Sequence, residues 1–323
     1  MAGSSSSSGG SSSSGKGAAP WPPSAPALGR LIKLNAFGDA YEDLAAAAAR
    51  GAGARSVVGL WPAFAYFNHS CIPAAVHYAV GDRLVVRAVQ DMAAGDEVTV
   101  SYLGREEFAP AQARQAVLLE RWGFECGCER CTVEAAAPKE LVSTIAACYA
   151  RVMQDLRPAF LEAAADGDGG RLAVAADHLR GVEATARAAI KEHAGPGVHP
   201  ATATFMHAAL YDLHELLYAA TQLSEGLGGG GESDSERGHA ALSALSRCLA
   251  IVDAVSRGAE LHVFLAAAML ERASALRGAD SPQAAAALQL LGHASEARYG
   301  KQLSMGLWDR LQKANTELSA EYL

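Results

Sequence analysis

Phe67-Asn68-His69-Ser70-Cys71 and Cys126-Gly127-Cys128-Glu129-Arg130-Cys131 bound the stretch on which the rest of this chain is organised, because both ends carry residue types that bind metals. The second end is a C-x-C-x2-C cluster. Three thiolates so close together repel one another and expose oxidisable sulfur unless a cation holds them. Zinc is the usual cation, bound tetrahedrally with sulfur at about 2.3 Å, so a fourth ligand is needed. Cys71 is the best candidate, since Cys148 and Cys248 sit singly among alanines and leucines in helical-looking sequence and read as small core residues. The alternative is a disulfide. Six cysteines in 323 residues, with no secretory signal legible, favour a reducing compartment, nucleus or cytoplasm, and a structural zinc.

Between the two ends lies strand sequence. Val76-His77-Tyr78-Ala79-Val80 and Arg83-Leu84-Val85-Val86-Arg87-Ala88-Val89 flank Gly81-Asp82, which predicts a hairpin with a two-residue turn and glycine at its first central position. A third strand is predicted over Glu97-Val98-Thr99-Val100-Ser101-Tyr102, delivering a tyrosine at its end.

Taken in order, Asn68-His69-Ser70-Cys71, Gly95 to Tyr102 and Phe124 to Cys131 resemble the C-terminal half of a SET domain followed by a cysteine-rich post-SET segment. With the helical tail that follows, the chain is most similar to the SET-and-MYND (SMYD) class of protein lysine methyltransferases. The resemblance implies an α+β fold: a partial SET-type β fold over 28–104, a post-SET zinc segment over 105–134 whose Cys126, Cys128 and Cys131 share a zinc with Cys71 of the SET part, and an all-α, tetratricopeptide-like array over 135–323. It implies S-adenosylmethionine as methyl donor and a lysine side chain of a protein, histone or otherwise, as substrate. Asn68 and His69 match the pair that touches the cofactor, chiefly through backbone and amide groups. Tyr102 matches the tyrosine at the methyl-transfer channel, and Trp122 and Phe124 match two aromatic positions of which one stacks on adenine. The alternative for these rings is that they anchor the zinc loop. Leu31 to Phe37 resembles a short family segment in which an asparagine, here Asn35, contacts the cofactor; an ordinary helix end with a polar cap is the other reading.

The implied chemistry asks for orientation more than for acid or base. A methyl sulfonium carries its own leaving group, so the enzyme chiefly aligns the lysine nitrogen with it. That nitrogen must be neutral, and a nearby positive charge and desolvation both lower its pKa from about 10.4.

Composition sets outer bounds. Hydrophobic residues at 50%, charged residues at 19%, a net charge of -8 and a pI near 5.7 describe a globular chain that is poorly suited to sequence-independent DNA binding. No apolar run of about 18 residues reads as a membrane span. Residues 1–27 are Ser/Gly-rich and then Pro-rich and are expected to be disordered. A transit peptide is the alternative for them, and Gly15-Lys16-Gly17 reads as a coincidental G-x-G. Full relatives would carry further SET strands, a G-x-G turn and a MYND finger ahead of Leu28, so an open sheet edge and an incomplete cofactor wall are expected, with a truncated gene model as one explanation.

From about Pro138 onward the pattern is helical. Phe205, Ala209, Leu213 and Leu216 fall on one segment, Leu242, Leu245, Leu249 and Val252 on another, and Leu307, Leu311, Ala314 and Leu318 on a last. His199-Pro200 reads as the lead into a helix. Gly226 to Gly238, with Glu232-Ser233-Asp234-Ser235-Glu236, is expected to be a mobile acidic loop. Three functions follow: a SET-type protein-lysine methyltransferase, an inactive remnant of that fold acting as a protein-interaction scaffold through its helical array, and a helical-repeat adaptor stapled by its cysteines.

Overall fold

The computed structural model of the chain describes residues 24–39, 43–50, 56–226 and 234–304, with 306, 307 and 310. The serine tract with Gly15-Lys16-Gly17, residues 51–55, Glu232 and Ser233, and Leu311, Ala314 and Leu318 lie outside the described residues.

Helix α1 (Ala25–Asn35) starts inside the stretch expected to be disordered, because a proline at its first turn supplies a preset helical φ. It buries nothing: Leu28, Leu31, Ile32 and Leu34 are all exposed. Strand β1 (Ala36–Asp39) follows, crosses α2 (Leu44–Arg50) in sequence and pairs antiparallel with β2 (Val57–Leu60), Ala36 opposite Leu60. The Ala46 N–H donates to Asp43 Oδ1 at 2.9 Å, capping α2.

The 3-10 turn Phe64–Tyr66 leads into β3 (Asn68–His69). The predicted hairpin is present as β4 (Ala75–Val80) and β5 (Arg83–Ala88), with Val80 opposite Arg83 and Gly81 at φ +61, a conformation that a side chain would strain. The third expected strand shrinks to β6 (Thr99–Val100), which pairs parallel with β3. The chain leaves that ladder because the Tyr102 N–H donates to the His69 side chain instead of to a neighbouring strand. Among the described residues the strands thus form three two-stranded ladders, not one sheet.

Everything described beyond Val100 is helical or loop: α3 (Ala111–Trp122), α4 (Glu129–Ala135), α5 (Lys139–Arg151), α6 (Arg157–Ala165), α7 (Gly169–Glu192), α8 (Thr202–Ala208), α9 (Tyr211–Gly226), α10 (Asp234–Val255), α11 (Glu260–Arg277) and α12 (Pro282–Tyr299). The fold class is α+β, as the sequence implies. A wide turn over Val152–Leu156 joins α5 to α6 just before Pro158, whose missing N–H cannot close the regular bond to Gln154.

Two further sequence expectations are corrected. The run from Phe205 to Leu216 is broken between α8 and α9, so Phe205 packs with α10 and α11 while Ala209, Leu213 and Leu216 pack with α5 and α7. The acidic segment expected to be a mobile loop turns helical at Asp234, where carboxylates at positions 234 and 236 favour a helix N-terminus. Helix α10 is also long and apolar enough, by length and composition, to cross a membrane, because its alanines and leucines dilute its charges; half of that window is buried, with Leu245, Cys248, Leu249 and Val252 in the core.

The helical region docks on the strands at a polar joint. Arg298 of α12 sits 2.8 Å from Asp43 Oδ2 and stacks 4.6 Å over the Tyr78 ring, the Leu44 N–H donates to Glu260 Oε1 at 2.9 Å, and the Arg298 guanidinium donates to the Gly258 carbonyl.

Candidate functional site

The metal-ligand candidates converge. The Sγ atoms of Cys71, Cys126, Cys128 and Cys131 all lie within 4.8 Å of one another, and all but Cys128 are buried. A tetrahedral zinc with bonds of about 2.3 Å sets its sulfurs roughly 3.8 Å apart. The four thiols therefore fit a zinc ion, and all six cysteines of the chain are free. Two elements bring them together. Cys71 follows β3, whose pairing with β6 fixes it, and Cys126, Cys128 and Cys131 ride on the turn after α3 and the start of α4. That turn is held by Gln115, which accepts from the Cys126 N–H at 2.8 Å and donates to its carbonyl at 2.7 Å. Gly123, at φ +78, ends α3 so that the chain can reverse into it.

The thiols share their protons unevenly, with the negative charge favoured on Cys128. Hydrogen bonds from Cys131 and then Cys71 pull the Cys128 thiol far below its ordinary range, and the same bond to Cys128 pushes Cys71 far up. Arg114, fully buried, donates from Nε to Cys71 Sγ at 3.3 Å and from its guanidinium to Cys131 Sγ at 3.5 Å. Glu134 lies 3.1 Å from Arg114 and 2.7 Å from Arg130, so a buried cation–anion–cation set backs the sulfurs. The sequence reading missed Arg114. Its signal was a cation on the buried face of α3, one turn before the fully buried Leu118.

Beside the sulfurs stands an aromatic group. The Tyr102 ring lies 5.4 Å from His69, 5.3 Å from Trp122 and 6.3 Å, edge to face, from Phe124, and Phe124 is 6.1 Å from His69. The Tyr102 hydroxyl donates to the Phe67 carbonyl at 2.6 Å, and burial, with the Glu97 charge nearby, raises its pKa, so it stays a donor at neutral pH. His69 is buried, and burial pulls its imidazole down to about 4. Asn68 is exposed and donates to Glu97 Oε1 at 2.7 Å, a partner the sequence did not indicate.

A cavity of about 530 Å³ opens next to this group. Asn35, Tyr102 and Trp122 line it, along with Phe37, Phe64 and His77, while Ser256, Arg257, Glu260 and Arg298 of the helical region form the far wall. Among the described residues its lining does not take in Asn68, His69 or Phe124. Asn35 reaches the cavity at the end of α1, though its amide donates to Leu31 O within that helix at 2.8 Å. Glu107, also on the wall, accepts from the Ser256 hydroxyl at 2.7 Å and is pushed up to about 7 by burial. The volume is in the range of pockets that hold small organic ligands, roughly 300–1,000 Å³.

Comparison with known proteins adds a family. Residues 33–103 match the SET domain. The chain is 34% identical over 82 residues to the Potential protein lysine methyltransferase SET6 of Saccharomyces cerevisiae, covering 25% of this chain and 22% of that protein. It is 36% identical over 77 residues to the human Histone-lysine N-methyltransferase SMYD3, covering 24% and 18%. It is 30% identical over 89 residues to a SET and MYND domain-containing protein of Dictyostelium discoideum, covering 27% and 17%. The chain thus carries a SET-domain segment with relatives of the SET-and-MYND type, and it spans about a fifth of the length of the curated relatives it matches.

Proposed function

We propose that this chain carries the donor-binding and tyrosine-bearing part of an S-adenosylmethionine-dependent protein-lysine methyltransferase, with a zinc held by Cys71, Cys126, Cys128 and Cys131 as a structural element. The observation that carries the reading is the cavity of about 530 Å³ walled by Asn35, Tyr102 and Trp122 beside the four-sulfur cluster. The SET match and the named lysine methyltransferases among the relatives support the reaction class.

The bound donor would supply an activated methyl group. The chain's own residues supply shape. Tyr102 holds its hydroxyl at the Phe67 carbonyl and its ring against Trp122, which orients the cavity wall. Asn35 and Trp122, which line the cavity, would contact the donor, and Phe124 and His69 pack against the Tyr102 ring. Asn68, outside the cavity lining, would touch the donor through its backbone and amide groups, as the resemblance implies. No general base is needed in this scheme.

Isothermal titration with S-adenosylmethionine tests the reading, and binding weaker than about millimolar, near −4 kcal/mol, refutes it. Where binding is seen, Tyr102→Phe keeps it and loses methyl transfer to a lysine-containing protein. Full activity in that variant would remove Tyr102 from its assigned place. A second reading, a scaffold without turnover, draws on the exposed Leu28, Leu31, Ile32 and Leu34 of α1, which leave the helix carrying Asn35 loosely anchored. The same titration separates the two.

A further inference from the structure

The four sulfurs and the tyrosine are joined by one side chain. The Tyr102 backbone N–H donates to His69 Nδ1 at 3.0 Å. An amide N–H can only donate, so Nδ1 is the unprotonated nitrogen of the ring. In the neutral imidazole the proton then resides on Nε2. Nε2 lies 3.4 Å from Cys71 Sγ, within the range of an N–H···S bond.

We infer that His69 is a positioning residue whose imidazole couples the metal site to Tyr102: Nε2–H donates to the Cys71 sulfur, and Nδ1 thereby accepts the Tyr102 amide. The inference rests on the zinc part of the reading above and extends it, since the resemblance gave His69 only a backbone role. A metal-bound Cys71 is a thiolate and can only accept, which fixes the ring's tautomer. The opposite tautomer would set an N–H against the Tyr102 N–H and expel that backbone from its place. The remaining contacts agree. His69 packs 5.4 Å from the Tyr102 ring; it ends β3, and Tyr102 lies two residues beyond β6, the strand paired parallel with β3. Arg114 shares the Cys71 sulfur from the other side, so the sulfur accepts from two buried donors, a pattern that disperses the charge of a four-thiolate site.

The test uses the full chain loaded with ¹¹³Cd in place of zinc and labelled with ¹⁵N-histidine and ¹⁵N-tyrosine. The expected spectrum shows the Nε2–H tautomer of His69 and a scalar coupling from that proton to ¹¹³Cd, transmitted through Cys71. Exchanging cadmium for zinc shifts the Tyr102 amide in the wild type and not in His69→Phe. In a competition with a chelator, His69→Phe loses metal affinity by roughly 10- to 100-fold, the usual effect of removing a partner of a metal ligand. His69→Gln, which can restore one of the two bonds, falls between. An Nδ1–H tautomer in the wild type overturns the inference, as does a coupling that is absent there or a Tyr102 amide that responds to metal exchange equally in His69→Phe. The wild-type measurements need no variant to fold. They are also independent of S-adenosylmethionine, so a chain that binds metal but no donor would refute the proposed reaction and leave this coupling standing.

Discussion

Arg114→Met removes a fully buried guanidinium and puts an unbranched apolar chain in its place. The side chain is 0% exposed and makes four contacts: Cys71 Sγ at 3.3 Å, Cys131 Sγ at 3.5 Å, the Ala109 carbonyl at 2.5 Å and Glu134 at 3.1 Å. Breaking a buried ion pair by removing one partner costs about 3–5 kcal/mol, because the other charge stays buried. Here Glu134 keeps Arg130 at 2.7 Å and the Ala111 N–H at 3.0 Å, so the low end applies, about 3 kcal/mol. The sulfurs add a metal-dependent part. Four thiolates around a divalent cation leave two negative charges, and Arg114 is the buried cation that donates to them. Losing it lowers zinc affinity by roughly 10-fold or more, which is about 1.4 kcal/mol of further loss for the holoprotein. Urea denaturation with and without excess zinc reads the first part, and zinc transfer to a colorimetric chelator reads the second. Arg114→Lys keeps the charge and loses the fork, so it falls between wild type and Met. If Arg114→Met unfolds within about 1 kcal/mol of wild type and holds zinc as firmly, the guanidinium is not what balances the sulfurs.

Cys128→Ser leaves three sulfurs and drops metal content below one zinc per chain by elemental analysis, with loss of helix α4 protection in hydrogen exchange, since metal-binding energy in such sites is folding energy. Gly258→Ala places a Cβ 2.7 Å from Val89 Cγ1 at a residue with φ +75, so it costs about 1–3 kcal/mol in urea denaturation and loosens the joint between the hairpin and the helices. His214 is buried, and burial, with His207 and Arg187 nearby, pulls its pKa down to about 4. The unfolded imidazole titrates near 6.5, so the unfolded chain takes up a proton between pH 6.5 and 4 that the native state refuses. Stability is full above about 6.5 and falls by up to about 3 kcal/mol by pH 4, a loss that His214→Gln flattens in pH-dependent denaturation curves.

What the sequence made legible was whatever depends on local spacing or on one dominant chemistry. The C-x-C-x2-C run pointed to a cation, and Cys71 stood out as the fourth sulfur because Cys148 and Cys248 looked like helix interior, where both are found. The hairpin was readable from alternation and from Gly81. What was not readable depends on contacts between distant segments. Asp43 and Arg298 form the buried pair at the joint across most of the chain, and no local pattern joins them. The parallel pairing of β3 with β6 shortened the predicted third strand because Tyr102 exchanges a ladder bond for the His69 side chain, a choice made by a residue thirty-three positions away. The cavity's membership divided the predicted site for the same reason. Asn35, Tyr102 and Trp122 reach it, whereas Asn68, His69 and Phe124 are drawn to Glu97, to Cys71 and to the ring cluster.

The helical region is part of that cavity, not an appendage to it. Ser256, Arg257 and Ala259 come from the turn between α10 and α11, Glu260 from the start of α11, and Arg298 from α12, so one wall of the candidate donor and substrate space is built by residues far along the chain from the SET-matching segment. Two left-handed glycines, Gly258 and Gly300, sit where these helices meet the hairpin. A Cβ on the first would collide with Val89, whereas one on the second would meet only the guanidinium end of Arg87, which can turn aside. Backbone packed against Val89 and Val76 at Gly258 leaves no room for a side chain where the wall meets the hairpin. Helix α2 is held from the same side, with Asp43 bonded to Arg298 and to the Tyr299 hydroxyl while its other oxygen caps the helix. It follows that loosening the joint changes the shape of the cavity before it unfolds either part, so Gly258→Ala weakens ligand binding at urea concentrations where α4 and its sulfurs are still intact.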